Sequence, residues 1–136
     1  MCVAINLSTL CYTVKSRRVL TYGSIAGGIL SGKYRTEEDC PKDGRTQTYP
    51  FYHGEAFKKA MKLVDVLEMI ANDHQKPISH VAINWVNQRP GITTALVGMK
   101  TPEQAISNAE AGNWELSKEE LMLINSTYEK LFGDQQ

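Results

Sequence analysis

Two short stretches of this chain pair glycine with lysine, and chemistry is most readily placed there. Gly27-Gly-Ile-Leu-Ser-Gly32-Lys33 fits the spacing GxxxxGK. Glycines in such a turn let backbone amides approach an anion, and a nearby lysine adds charge. Two features argue against a literal P-loop. The next residue is Tyr34, not the Ser or Thr whose hydroxyl would hold magnesium. The segment RTEEDCP that follows has no apolar stripe and contains Pro41, so no helix starts there to aim its dipole at a phosphate. The second stretch is Gly98-Met-Lys100-Thr101, at the head of a segment with helix-start chemistry. Free amides, a positive dipole end and Lys100 would converge on an anion there. The plainer account of this stretch is a well-capped helix that simply follows a strand.

The elements around these stretches decide whether they can meet. Residues Val19 to Tyr22 are a short β-prone run ending in GSIAGG, as a strand feeding a glycine turn does. From Lys33 to Pro50 the chain is polar and punctuated, and predicts a long loop, either functional or disordered. Phe57, Ala60, Met61, Val64, Leu67 and Ile70 recur at helical spacing and predict an amphipathic helix over 55–73. Pro77 opens another, with Ile78, Val81, Ala82, Trp85 and Val86 on one face and a stop at Arg89-Pro90-Gly91. Ile92 to Val97 is a continuous apolar run that predicts a strand buried on both faces. Capping boxes at Thr101-Pro-Glu-Gln104 and Ser117-Lys-Glu-Glu120 start helices over about 102–111 and 118–131. Strands alternating with helices imply parallel pairing and the α/β class. Ligands in such sheets sit beyond the carboxyl ends of strands, so the two glycine–lysine stretches should lie side by side. Two strands alone leave two open edges, so either residues 1–18 add something or the sheet is part of a larger one.

Composition narrows the function classes. Fifteen basic residues balance fifteen acidic ones in 136 residues, which weighs against a nucleic-acid binder driven by bulk charge. No apolar stretch approaches the ~20 residues that span a bilayer, so no membrane partner is expected. Cys2, Cys11 and Cys40 form no CxxC pair, and Lys15 is the first basic residue, after the apolar start. Together these point to a reducing, cytoplasmic setting without a secretory signal, and make the sequons at Asn6 and Asn125 accidental. His53, His74 and His80 show no metal-ligand spacing, so no metal is expected. Trp85 reads as core, and Met61, Met69 and Met122 as gap-filling side chains.

The sequence also resembles a known family, the aldo-keto reductases, NADP-dependent carbonyl reductases built on a (β/α)8 TIM barrel. The similarity lies in Tyr22-Gly-Ser-Ile-Ala-Gly-Gly-Ile-Leu-Ser-Gly-Lys33-Tyr34, in Val81-Ala-Ile-Asn-Trp85, and in Thr94-Ala-Leu-Val-Gly98-Met-Lys-Thr-Pro-Glu-Gln104 through Asn108. Trp114-Glu-Leu-Ser-Lys-Glu-Glu-Leu121 extends it. The resemblance covers roughly residues 19–131 and implies a partial barrel holding its seventh and eighth strands, with residues 1–18 an atypical N-terminal segment and 19–136 the C-terminal part of a reductase domain. It implies NADP as cofactor. Tyr22 would stack on the nicotinamide, while Gly23, Ser24, Ile25, Ala26 and Gly27 would fold over the pyrophosphate with Lys33 reaching the phosphates. Lys100, beside Gly98, would hold the 2′-phosphate, with Gln104 and Asn108 on the adenine side and Arg45 assisting from the long loop. Ser107 departs from the family, which usually has Glu there. The family's catalytic Asp, Tyr, Lys and His have no counterparts here, and Tyr34 and His80 match none of them. The implied function is the C-terminal portion of an NADP-dependent oxidoreductase carrying most of the cofactor site and none of the chemistry. The alternative is a non-catalytic nucleotide-binding or protein-interaction module. Expected partners are NADP(H) and either an N-terminal barrel half or a second copy at the open sheet edges.

Overall fold

The computed structural model describes residues 19–133. The segment 1–18 set apart above, with Cys2, Cys11 and the Asn6 sequon, lies outside the described residues. Strands β1 (Leu20–Thr21) and β2 (Thr94–Ala95) pair in parallel, with Leu20 opposite Thr94 and Thr21 opposite Ala95. Among the described residues five α-helices accompany them: α1 (Gly44–Thr48), α2 (Gly54–Asp73), α3 (Ile78–Asn87), α4 (Pro102–Glu110) and α5 (Lys118–Phe132). The order is that of an α/β protein.

The ladder is shorter than the β-prone runs at 19–22 and 92–97 suggest. Hydrogen bonds from Thr93 N–H to the Val19 carbonyl and from Leu96 N–H to the Thr21 carbonyl extend the pairing slightly at each end. The prediction that 92–97 is buried on both faces fails: Thr94 and Ala95 are half-buried and Leu96 is 49% exposed. An apolar parallel strand is covered only if elements pack on both sides. Helix α3 packs against β2, and among the described residues β1 is the only strand beside it.

Helices α2, α3 and α5 build the core. Helix α2 buries Phe57, Ala60, Leu63, Val64, Leu67, Ile70 and Ala71, close to the stripe its periodicity predicts, with Met61 at the margin. Helix α3 departs from its predicted single face, since seven consecutive residues from His80 to Val86 are buried. It is covered on several sides, packing against α2, α4, β2 and the turn after β1. Trp85 is buried as expected and donates its indole N–H to Asn125 Oδ1 at 2.8 Å. That bond also engages the Asn125 sequon. Met69 and Met122 do not fill gaps; they are 49% and 62% exposed, with no second layer of described residues over them.

The 33–50 segment is more ordered than a plain loop. A 3-10 turn at Glu37–Asp39 is held by a reciprocal cap between Thr36 and Asp39, then come α1 and a second 3-10 turn at Pro50–Tyr52. Polar, proline-punctuated sequence hides such one-turn pieces because each is held by local side-chain bonds instead of an apolar stripe. Of the two predicted capping boxes, Ser117–Glu120 is complete. In the other, Thr101 Oγ1 accepts from Gln104 N–H, but Gln104 Oε1 accepts from the Lys100 amide one residue before the cap.

Glu120 also joins helix ends. Its carboxylate accepts from the Ser117 amide and from His74 Nε2–H, both at 2.7 Å, tying the start of α5 to the end of α2. Burial acts to raise its pKa, but the Ser117 amide, the His74 ring and the Ser117 hydroxyl outweigh it and hold the group below its ordinary value. A depressed carboxylate pKa means stability that is full above the unfolded value, near 4.3, and is lost as pH falls through the folded one. Glu120→Gln should therefore cost about 1–2 kcal/mol at neutral pH and less at about pH 3, below the unfolded value. Urea melts of both proteins at the two pH values check this; an equal gap at both would show that the charge is immaterial.

Candidate functional site

The glycine stretch is built as a wall. After β1 the chain turns at Gly23 (φ 72°) and enters 3-10 turns over Ala26–Ser31, with Gly27 and Gly28 in the left-handed region at φ 67° and 108°. A side chain at Gly27 is excluded by space as well as by φ, since a Cβ there would lie 2.6 Å from the Tyr52 hydroxyl and 3.1 Å from the Tyr49 ring. Tyr52, fully buried, donates its O–H to the Gly27 carbonyl at 2.8 Å. Burial, with Tyr34 adding and Arg45 opposing, pushes its pKa up to about 12, so it stays a neutral donor.

Ser24 connects the two strand ends. It is 4% exposed, and its hydroxyl donates to the Leu96 carbonyl at 3.3 Å. The loop after β1 and the loop after β2 are thereby held side by side, as the topology argument expects. Between them lies a cavity of about 600 Å³.

Ten of the residues singled out by sequence line this cavity: Gly23, Ser24, Ile25, Gly27, Lys33, Arg45, Gly98, Lys100, Gln104 and Asn108. Ala26 does not; it is buried in the core with φ 48°. Tyr22 is also off the lining and is 72% exposed beyond the end of β1. Lys33, Arg45 and Lys100 place three cations around one space, beside the N-terminus of α4. That donor set suits a polyphosphate ester.

Arg45, only loosely alignable from sequence, proves the most firmly placed of the three. Its guanidinium grips Asp43 through Nε and Nη2 at 2.9 and 2.8 Å, while Nη1 donates to the Gly27 carbonyl and the Tyr34 hydroxyl. The side-chain and backbone bonds from Arg45 pull Asp43 down to about 2, and Asp43 in turn raises Arg45. At an exposed position this pair adds little stability; its consequence is orientation. Lys33 Nζ lies 5.7 Å from the centre of the Tyr34 ring.

Sequence reasoning missed Tyr34, Tyr49 and Ser79 as lining residues, and Glu103 as an acidic one. Tyr34 and Tyr49 belong to an aromatic cluster with Phe51 and Tyr52, the rings 5.2 to 6.3 Å apart. Four aromatics within an otherwise polar stretch were the available signal. His80 sits behind the lining, 1% exposed, hydrogen-bonded through Nε2 to Ser107 Oγ at 3.0 Å. Among the described residues no three His, Cys, Asp or Glu side chains cluster in a way that could hold a metal, and no helix is long and apolar enough to cross a membrane.

Comparison with known proteins bears directly on this arrangement. The Aldo/keto reductase family profile matches residues 5–129, reaching into the N-terminal segment that sequence reading set apart. Aldo-keto reductase YhdN of Bacillus subtilis is 30% identical over 116 residues, covering 85% of this chain and 35% of the relative. An uncharacterized oxidoreductase of Mycobacterium tuberculosis, Rv2298, is 31% identical over 104 residues, covering 76% and 31%. The glycerol dehydrogenase AKR11B4 from Gluconobacter oxydans superposes with TM-score 0.79 at 23% identity, over 94% of this chain and 38% of that one. The chain thus spans about a third of the length of these relatives. With a profile match along most of its length and relatives about 30% identical over most of it, this chain belongs to the aldo/keto reductase family of oxidoreductases.

Proposed function

We propose that this chain forms the nicotinamide-nucleotide end of an NADP-dependent carbonyl or alcohol oxidoreductase, with the catalytic acid and its partners supplied by residues outside it. The observation that carries this is the single cavity shared by the glycine wall after β1 and the head of α4 after β2, with Lys33, Arg45 and Lys100 around it. The pyrophosphate would lie along Gly23–Gly27 with Lys33 in reach. Lys100, at the dipole end of α4, would take the 2′-phosphate, and Gln104 and Asn108 the adenine side. Bound there, a reduced nicotinamide supplies a hydride to a carbonyl carbon. Tyr22, exposed at the end of β1, is free to stack on that ring. The family's Asp, Tyr, Lys and His have no match in this chain, so the proton must come from elsewhere.

A second reading concerns partners, and one observation favours it. Leu20, Tyr22, Leu96 and Met99, at and just beyond the two strands, are 49 to 72% exposed. Apolar side chains at an open sheet are a pairing surface. An N-terminal barrel half, or failing that a second copy of this chain, is the proposed cover.

The nucleotide reading is tested by titrating NADP+ and NAD+ into the chain and following amide shifts. NADP+ should bind with a Kd of roughly 0.1–1 mM. Lys100→Ala should weaken NADP+ about fivefold at low salt, with little change for NAD+, because a partly exposed cation–phosphate contact gives about 1 kcal/mol. Added salt should narrow the preference. Equal perturbation of the same amides by both nucleotides, unchanged in Lys100→Ala, would remove the 2′-phosphate assignment.

A further inference from the structure

The seat of α4 rests on a buried histidine that the cofactor assignment does not use. His80, in the first turn of α3, is 1% exposed, and its Nε2 is 3.0 Å from Ser107 Oγ on α4. Its Nδ1 is buried and has no hydrogen-bond partner among the described residues. Ser107 itself lines the cavity, one residue from Asn108 and one turn beyond Gln104. Helix α4 buries none of its own residues completely, so little apolar packing fixes it, and a bond to a buried group counts for much.

The ring's chemistry limits the states it can adopt. A neutral imidazole has one N–H and one bare nitrogen. A stranded buried N–H is rarer and costlier than a stranded acceptor, which places the proton on Nε2, donating to Ser107 Oγ. The serine, which lines the cavity, then keeps its own O–H as a donor. Adding a second proton at Nδ1 would create a partnerless N–H and a buried charge. Burial is the largest influence and holds the pKa below the ordinary histidine value; Glu110 on α4 and, more weakly, the Ser107 backbone favour the added proton, and Lys76, just before α3, opposes it.

We propose that neutral His80 is a positioning residue for the nucleotide site: through Ser107 it seats α4 and aims the serine hydroxyl, so that acid loosens the base-side half of the site. This rests on the nucleotide reading above and adds to it a pH dependence seated in this chain. The second proton leaves the Nε2–H···Oγ bond in place but puts a charge and an unpartnered Nδ1–H in the buried seat beneath α4, so the packing of the ring and the binding that depends on it should weaken together as the ring titrates.

The test is an NMR titration of the full chain at about pH 7.5 and at a pH below the His80 ring's own observed midpoint, with the ring followed at the same time. NAD+ is the principal probe because the 2′-phosphate of NADP+ itself titrates near pH 6. The wild-type chain should bind NAD+ about threefold or more weaker at the lower pH. The amides of Gln104 and Asn108 should shift with the ring's own midpoint, below about 6.5. Ser107→Ala breaks the same bond from a half-buried position without touching the core; it should bind more weakly at pH 7.5 and lose the coupled amide shifts. His80→Gln should behave alike, and the double variant should be no worse than either single one. Amides of α4 indifferent to the His80 titration, or effects of the two substitutions that add, would overturn the proposal. Weakening of NADP+ by Lys100→Ala alongside such a result would leave the nucleotide assignment standing; no effect of Lys100→Ala would instead strike that assignment.

Discussion

A Leu67→Ala protein should lose about 2–5 kcal/mol of stability, the range for emptying a fully enclosed leucine site. Leu67 has no exposed surface and belongs to the central cluster with Leu63, Trp85, Ile124 and Tyr128, where α2 meets α3 and α5. Packed helix interfaces cannot collapse onto the missing atoms without moving a backbone, so the void persists. Domains hold only ~5–15 kcal/mol in total, so a loss of this size is a large share of it. The midpoint of thermal unfolding, read by far-ultraviolet dichroism, should fall by roughly 10 °C or more. Met69→Ala on the outer side of the same helix is the control and should move it by only a degree or two, since Met69 is half exposed. A Leu67→Ala midpoint matching the control would mean that the α2 interface is not the core.

Gly27→Ala should damage both stability and nucleotide binding. An alanine held near φ 67° costs about 1–2 kcal/mol, and its Cβ would strike the Tyr52 hydroxyl that serves the Gly27 carbonyl. Losing that bond in a buried setting adds another ~1–3 kcal/mol. Arg45 donates to the same carbonyl, so movement of Gly27 shifts the cation as well as the wall. Nucleotide affinity should fall about tenfold or more, close to the level of nonspecific anion binding. Gly98→Ala supplies the comparison: its φ is not left-handed and a Cβ there meets nothing within 4 Å, so melting should be unchanged. Parallel melts and NADP+ titrations of the two variants decide the matter. A Gly27→Ala chain that binds like wild type would show that the wall does not touch the ligand.

Much of this molecule is determined by local sequence. Helix α2 follows from a three-and-four spacing of apolar residues that has only one way to bury itself, and α5 from the Ser117–Glu120 cap, which closes within four residues. Both glycine–lysine stretches are legible because they depend on residue type and on following a strand, and topology then puts them at the same end of the sheet. Tertiary structure decided what depends on distant partners. Whether 92–97 is buried depends on what lies beside it, and its apolar composition overstates its cover here. The all-round burial of α3 comes from neighbours on several sides, which no single-face periodicity encodes. Arg45 is a cavity residue because the Gly27 carbonyl, eighteen positions away, and the Asp43 carboxylate fix its fork. Residues His80 and Ser107 lie twenty-seven positions apart, and only the packing of α3 on α4 turns a stray histidine and an unexpected serine into one hydrogen-bonded unit. Sequence sets the groups and their local geometry; long-range packing sets which of them share a dielectric and a hydrogen bond.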